Sequence, residues 1–181
     1  DLGPDAPACS LALAATNPRD PDAPPSPGWL TLARDGLAVV GEHEAVLATS
    51  RALLGSALLG DALLTILQPP TADGTWSWLR WLESRLGSGP GSRVARNSEE
   101  AARVLGTAPG PVLVVSDHGA AWRSALDRWW PGRGPQDALL VLDAHRAAVP
   151  SWCRWVLTVR AGAATLDGPG GTWRVEHPMA C

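Results

Sequence analysis

The sequence predicts a three-layer α/β fold, in which a mostly parallel sheet carries helices on both faces and ends in a C-terminal β-hairpin. Three observations support this prediction. Short apolar runs that suit strands buried on both faces alternate with segments of helical periodicity. Gly and Pro punctuate the chain between these segments. Near the C terminus, two short strand-like segments flank a glycine-rich turn.

The chain of 181 residues fits one domain with an irregular arm. Residues 1–28 are rich in Pro, Asp and Ala, which predicts turns and extended coil, and residues 9–15 are a candidate edge strand. The domain proper is predicted over residues 29–181. The first residue is Asp1 rather than Met, which indicates a piece of a longer protein.

Composition excludes several classes of function. The net charge of −3 and the lack of a basic run argue against direct nucleic-acid binding. The three cysteines, Cys9, Cys153 and Cys181, lack metal-ligand spacing, and their odd number favours reduced thiols in the cytosol. Since no apolar run approaches roughly 18 residues, we expect no membrane span. We expect no signal peptide either.

Periodicity and punctuation predict the elements in chain order. The first half contains a strand over residues 29–33, a strand over 37–41, a helix over 44–59, a strand over 62–67 and a helix over 76–86. The run at 37–41 is short, apolar and closed by Gly41, which is typical of a buried parallel strand. The Pro69-Pro70 pair ends the strand predicted over residues 62–67.

The second half is predicted in the same way. It contains a strand over 93–95, a helix ending near Gly106, a strand over 111–117, a helix over 120–130, strands over 138–143 and 155–160, and hairpin strands over 163–166 and 172–176. Asn97, with Glu100 three residues later, is a capping box that starts the helix after residues 93–95. A brief helical turn is expected within residues 147–152.

The junction after the strand at residues 37–41 has the layout of a phosphate-binding P-loop but lacks its chemistry. That motif needs a Gly, four variable residues, and then Gly, Lys and Ser or Thr. Counted from Gly41, the three later positions hold Val46, Leu47 and Ala48. Glu42 and Glu44 place negative charge where a phosphate would lie. We therefore expect a degenerate nucleotide site with neither ATP nor another cofactor.

The strand at residues 111–117 ends in Asp117, where an enzyme of this design carries a metal-binding acid. His118 follows it in place of the usual Glu. The simplest hypothesis is that Asp117 caps the next helix. An alternative is a weak metal-dependent or nucleotide hydrolase, in which the ligands of a divalent metal would be Asp117, His118, Asp143 and His145.

Ten Trp residues replace Phe and Tyr, which are absent, and most are interpreted as core fillers rather than base-stacking platforms. Three of them, Trp76, Trp78 and Trp81, fall within one predicted helix. They cannot all face inward, so we expect one or more of them to be exposed and available for docking a partner.

Residues 36–41, the helix after them and the segment Trp-Ser-Trp-Leu-Arg-Trp-Leu at 76–82 resemble FtsK/SpoIIIE-type proteins. The similarity is narrowest to the degenerate, pseudo-ATPase module of type VII secretion translocases, the EccC and EssC class, and to FHA-linked relatives in actinobacteria. It continues through residues 112–117 and 138–159 to the hairpin at 163–175. One departure is Glu83-Ser84, which stands where the family usually has a Pro-His pair after the Trp-rich segment.

The resemblance implies a RecA-type P-loop NTPase fold and a non-catalytic, structural or regulatory module of a larger ATP-binding translocase of type VII (ESX) protein secretion. The module would lie on the cytoplasmic side of the plasma membrane, as part of a membrane-anchored protein. Its partners would be the neighbouring ATPase domains, the membrane anchor and other secretion components, without nucleic acid or membrane insertion. The alternative that the resemblance leaves open is a segment of an ATP-driven DNA translocase.

Overall fold

A computed structural model describes residues 15–16, 28–57, 63–72, 74–78, 93–107, 111–160 and 163–175. The strands of this part are β1 (Ala15–Thr16), β2 (Leu37–Gly41), β3 (Leu63–Leu67), β4 (Arg93–Ala95), β5 (Val112–Asp117), β6 (Ala138–Asp143), β7 (Trp155–Arg160), β8 (Ala163–Gly168) and β9 (Gly171–Val175). Its helices are α1 (Trp29–Arg34), α2 (His43–Ala57), α3 (Ser98–Gly106) and α4 (Gly119–Trp129). Short 3-10 turns occupy Pro70–Ala72, Trp130–Gly132 and Arg146–Ala148.

The strands form one sheet in the order β1-β9-β8-β7-β2-β6-β5-β3-β4. The strands from β7 to β4 in this order pair in parallel, whereas β8, β9 and β1 extend the sheet antiparallel at one end. The predicted α/β class, the mostly parallel sheet and the closing hairpin are thereby confirmed. After β2 the chain continues to β3, near one end of the sheet. After β6 it continues to β7, in the direction of the other end. The carboxyl ends of these two neighbours therefore form a switch point, where sheets of this kind hold ligands.

Helices cover both faces of the sheet. On β2, Leu37 and Val39 join one core cluster with α1 and α2. The alternate residues Ala38 and Val40 join a second cluster with α3 and α4. We call the two sides the α2 face and the α4 face. Because both sides are apolar, the central strands are nearly continuous hydrophobic runs, and every residue of β3 and β5 is buried.

The prediction of a strand over residues 29–33 is wrong, because these residues form helix α1. Trp29, Leu32 and Ala33 are buried against the α2 face, while Thr31 is exposed. Burial at positions i, i+3 and i+4 fits a helix, whereas the alternating letters Trp-Leu-Thr-Leu-Ala also fit a strand. Gly36, with a φ of 82°, then turns the chain into β2.

The capping box at α3 is confirmed with one difference. Asn97 Oδ1 accepts a hydrogen bond from the Glu100 N–H at 2.9 Å. Glu100 Oε2 accepts from the Arg96 N–H at 2.8 Å, one residue before the cap.

The hairpin turn between β8 and β9 is tighter than expected, since Gly168 pairs with Gly171 and leaves only two residues between the strands.

Several predictions fall partly outside the described residues. Residues 74–78 form a turn where the helix over 76–86 was expected to begin, and the rest of that segment, with Trp81, lies outside the description. Most of the arm over residues 1–28 also lies outside it, although β1 pairs with β9. Among the described helices, none has the length and apolar character needed to cross a membrane.

Candidate functional site

A cleft of about 280 Å³, open space included, lies at the switch point where β2, β5 and β6 end. It is lined by His43, Val46, Leu47, Asp117, His118, Leu142, Asp143 and Ala144. The first three belong to α2, and the others follow from the ends of β5 and β6. The space that it encloses is only about 30 Å³, far below the range of roughly 300–1,000 Å³ that is usual for small-molecule sites.

The junction between β2 and α2 is a single residue. Strand β2 ends at Gly41 and helix α2 begins at His43, so only Glu42 lies between them. The Val46 N–H already donates to the Glu42 carbonyl at 2.9 Å, as the first turn of the helix requires. A P-loop instead needs an open segment whose successive N–H groups surround the phosphate. The backbone at this junction has no such segment.

Gly41 is required here by packing rather than by phosphate binding. Its φ is 146°, a conformation that side-chain-bearing residues rarely adopt. A Cβ built on it would lie 2.0 Å from the carbonyl oxygen of Val159 in β7. The glycine that suggested a P-loop in the sequence is therefore explained by the close approach of a neighbouring strand.

Of the five residues after Gly41 that were assigned to the degenerate site, two line the cleft and three do not. Val46 and Leu47 are buried and line the cleft, as their aliphatic character suggested. Ala48 is exposed and does not line it. Glu42 and Glu44 are also exposed and lie outside the lining, so they contribute no carboxylate to the cleft itself.

Asp117 does not cap helix α4, contrary to the hypothesis drawn from the sequence. It is the last residue of β5, only 3% exposed, and the cap position belongs to His118, whose side chain makes no capping bond. Asp117 Oδ2 instead accepts a hydrogen bond from the Trp76 indole N–H at 3.0 Å. Its backbone oxygen accepts from the Trp122 indole N–H at 2.8 Å. Burial of the strand end explains why this carboxylate needs an internal donor.

His118 adopts the left-handed conformation, with φ 58° and ψ 68°. Within the described ranges it is the sole non-glycine residue with positive φ. This conformation costs roughly 1–2 kcal/mol for an L-residue. The His118 side chain is 53% exposed, and its Nδ1 lies 3.7 Å from Asp117 Oδ1.

His43 is a cleft residue that sequence analysis missed. Its ring centroid lies 6.4 Å from that of His118, with the two planes tilted by 48°. The helix was predicted to start at residue 44, and a start one residue earlier places His43 at the carboxyl edge of the sheet. Two imidazoles and two carboxylates thus lie around the cleft.

The alternative metal site is wrong. Asp117, His118 and Asp143 line the cleft, but His145 does not. Asp143 Oδ1 accepts from the His145 backbone N–H at 3.2 Å, and Asp117 already receives the Trp76 indole. Throughout the part of the chain that the structure describes, no three His, Cys, Asp or Glu side chains are grouped so that they could hold a metal ion.

The three tryptophans predicted to dock a partner have different positions. Trp76 is only 4% exposed and belongs to the α2-face core, so its assignment to a docking surface is wrong. Trp78 is half-buried against the same core, and its buried indole nitrogen has no hydrogen-bond partner among the described residues. Trp81 lies outside the described residues.

No protein-family model matches the sequence, and no curated protein is significantly similar to it. The resemblance to FtsK/SpoIIIE-type proteins therefore depends on the motifs of the sequence itself. The chemistry of the cleft has to be inferred from its own residues and their contacts.

Proposed function

We propose that this chain is a non-catalytic, RecA-type ATPase-like module of a larger FtsK/SpoIIIE-type translocase of the type VII protein secretion class. Its role there is structural or regulatory docking. One observation carries the non-catalytic part of this proposal: α2 begins two residues after Gly41. Since only Glu42 separates the strand from the helix, no loop is available to surround a phosphate.

The charges around the cleft support the same conclusion. The chain contains no Lys, since all 15 basic residues are Arg, and no Arg lines the cleft. Asp117 and Asp143 contribute carboxylates, while Val46 and Leu47 contribute apolar surface. A bound triphosphate needs cationic groups to neutralise it. The balance of charge at this edge therefore disfavours ATP.

The contact between Trp76 and Asp117 also favours a non-catalytic role. In the enzymes that the sequence resembles, the acid at the end of this strand binds the metal of the nucleotide. Here one carboxylate oxygen is occupied by an indole N–H in a buried position. A metal that took this oxygen would displace that donor and leave the indole nitrogen buried without a partner, which costs roughly 1–3 kcal/mol.

The resemblance alone supports the wider context of the proposal. It makes the module a cytoplasmic part of a membrane-anchored protein, whose other domains bind ATP and form the surfaces against which this one docks. The net charge of −3 makes contact with DNA the weaker alternative.

Titration calorimetry with ATP and Mg²⁺ tests the nucleotide part of the proposal. We expect no saturable binding up to about 1 mM ATP, which corresponds to a binding free energy weaker than about −4 kcal/mol. A matched variant restores the motif residues as Val46→Gly, Leu47→Lys and Ala48→Ser. It should also fail to bind, because the missing loop is a property of the backbone. Micromolar binding by the wild-type chain would overturn the proposal.

The docking part is tested with the ATPase domains encoded in the same gene or operon. Excess purified module should change their steady-state rate of ATP hydrolysis, whereas an equal amount of heat-unfolded module should not. An unchanged rate over a tenfold molar excess would contradict a regulatory role. Retention of DNA that weakens as salt rises would instead favour the DNA-translocase alternative.

A further inference from the structure

Asp117 makes hydrogen bonds on both sides of the sheet. Its carboxylate accepts from Trp76 Nε1 at 3.0 Å, and its backbone carbonyl accepts from Trp122 Nε1 at 2.8 Å. Trp76 belongs to the α2-face core, whereas Trp122 belongs to the α4-face core. One residue at the end of a central strand therefore joins two indoles that the sheet separates.

Both hydrogen bonds are buried, as are the two indoles. A buried N–H without an acceptor is costly, so neither indole can leave Asp117 without a substantial loss of stability. The turn at residues 74–78, which contains Trp76, is held by other side-chain hydrogen bonds that are not buried. Ser77 Oγ donates to the Gly74 carbonyl at 2.8 Å and Arg51 Nη2 to the Thr75 carbonyl at 3.4 Å, and both are exposed.

At the other end, Asp117 leads directly into the start of helix α4. His118, in its left-handed conformation, is the residue between the strand and the helix. Its carbonyl accepts from the Ala121 N–H at 2.9 Å and so begins the helix. A displacement of the Asp117 backbone would have to be absorbed by His118 or by this first turn.

We propose that Asp117 is a two-sided clamp that couples the turn at residues 74–78 to the start of helix α4 through the sheet. A displacement of this turn that moves Trp76 would loosen the first turn of α4, and a turn that holds Trp76 in place would tighten it. Asp117 is thus a positioning residue. This inference depends only on the two indole contacts, and it stands whether or not the chain belongs to a translocase.

A double-mutant cycle measures the coupling. The effect of Trp122→Phe on the unfolding equilibrium constant should be at least about threefold smaller in a Trp76→Phe background than in the wild-type chain. The control pair is Trp76→Phe with Trp173→Phe. Trp173 lies on β9, five strand positions away from β5, so this pair should be additive within about twofold. Additivity of the first pair would overturn the proposal.

Hydrogen exchange provides a second measurement that needs only single variants. Trp76→Phe should speed exchange of the Ala121 amide by about tenfold or more relative to the wild-type chain. Trp78→Phe removes an equivalent indole whose N–H has no described partner, and it should leave that amide within about twofold. Equal effects of the two variants would contradict the clamp.

Substitutions of Asp117 separate the clamp from general packing. Asp117→Asn keeps a side-chain oxygen that can accept from Trp76, so the non-additivity of the cycle should persist in it. Asp117→Ala removes that oxygen, and the cycle should become additive within about twofold. A cycle that stays equally non-additive in Asp117→Ala would show that coupling does not pass through this side chain.

Discussion

Two hydrogen-bonded aspartates, one in each half of the sheet, are held in different ways. Asp117, at the carboxyl edge of the parallel half, is 3% exposed and receives a neutral indole N–H. Asp167, in the antiparallel hairpin, has a side chain that is 24% exposed, and it is bound by Arg146 and Thr172. Where water is excluded, a single neutral donor carries a large energetic consequence. Where water competes, even an ion pair contributes little.

The largest effect is expected at the β2–α2 junction in the parallel half. Gly41→Ala places a Cβ against the Val159 carbonyl oxygen and imposes an unfavourable φ on Ala. Strain and overlap together should cost about 3–5 kcal/mol of unfolding free energy, measured by denaturant titration.

The matched control for that substitution is Gly55→Ala in helix α2. A Cβ at Gly55 meets nothing within 4 Å, and the residue is exposed. Ala at this position should stabilise the protein by about 0.5–1 kcal/mol, because Gly is entropically unfavourable in a helix. Equal losses at both positions would show that the close approach of β7 to Gly41 is not what matters.

The next effect concerns Asp117. Asp117→Ala leaves the buried Trp76 indole N–H without an acceptor, and we expect a loss of about 1–3 kcal/mol in urea denaturation. Asp167→Ala, made in parallel, should cost less than about 1 kcal/mol, because its partners are exposed to water. If the two variants lost the same stability, burial would not explain the contrast between the halves of the sheet.

A third substitution should act in the opposite direction. His118→Gly relieves the left-handed conformation and should stabilise the protein by about 0.5–1 kcal/mol, seen as a higher Tm. His118→Ala removes the same imidazole but keeps the strained backbone, so it should bring no such gain. Stabilisation by Ala as large as by Gly would mean that the side chain, and not the backbone, is the unfavourable part.

The contrast between local and distant interactions also explains how far the sequence predicts the structure. The buried strands and the Asn97 cap are signalled by neighbouring residues, so their positions were predictable. Helix α1 was not, because six residues are too few to separate a period of two from a period of 3.6.

At the candidate site, the loss of the Lys and the hydroxyl was visible in the sequence, whereas the geometry was not. The requirement for Gly41 comes from β7, a strand much later in the chain. The partner of Asp117 comes from Trp76, 41 residues before it. Neither contact leaves a local pattern, so Asp117 was assigned to a helix cap and Trp76 to a docking surface.

The smallest effect is expected in the hairpin, and it depends on pH. Burial raises the pKa of Asp167, but hydrogen bonds from Thr172 and Arg146 and the charge of Arg146 outweigh it, so the pKa lies below its ordinary value. The carboxylate therefore stabilises the fold above the unfolded-state pKa of about 4, and this contribution is lost as the pH falls through the lower folded-state pKa. In Asp167→Asn, the difference in unfolding free energy between pH 6 and pH 2 should shrink by less than about 1 kcal/mol, because Arg146 is largely exposed. Urea titrations of both proteins at the two pH values measure this difference. A larger shrinkage would mean that the hairpin aspartate is as costly to disturb as the buried one.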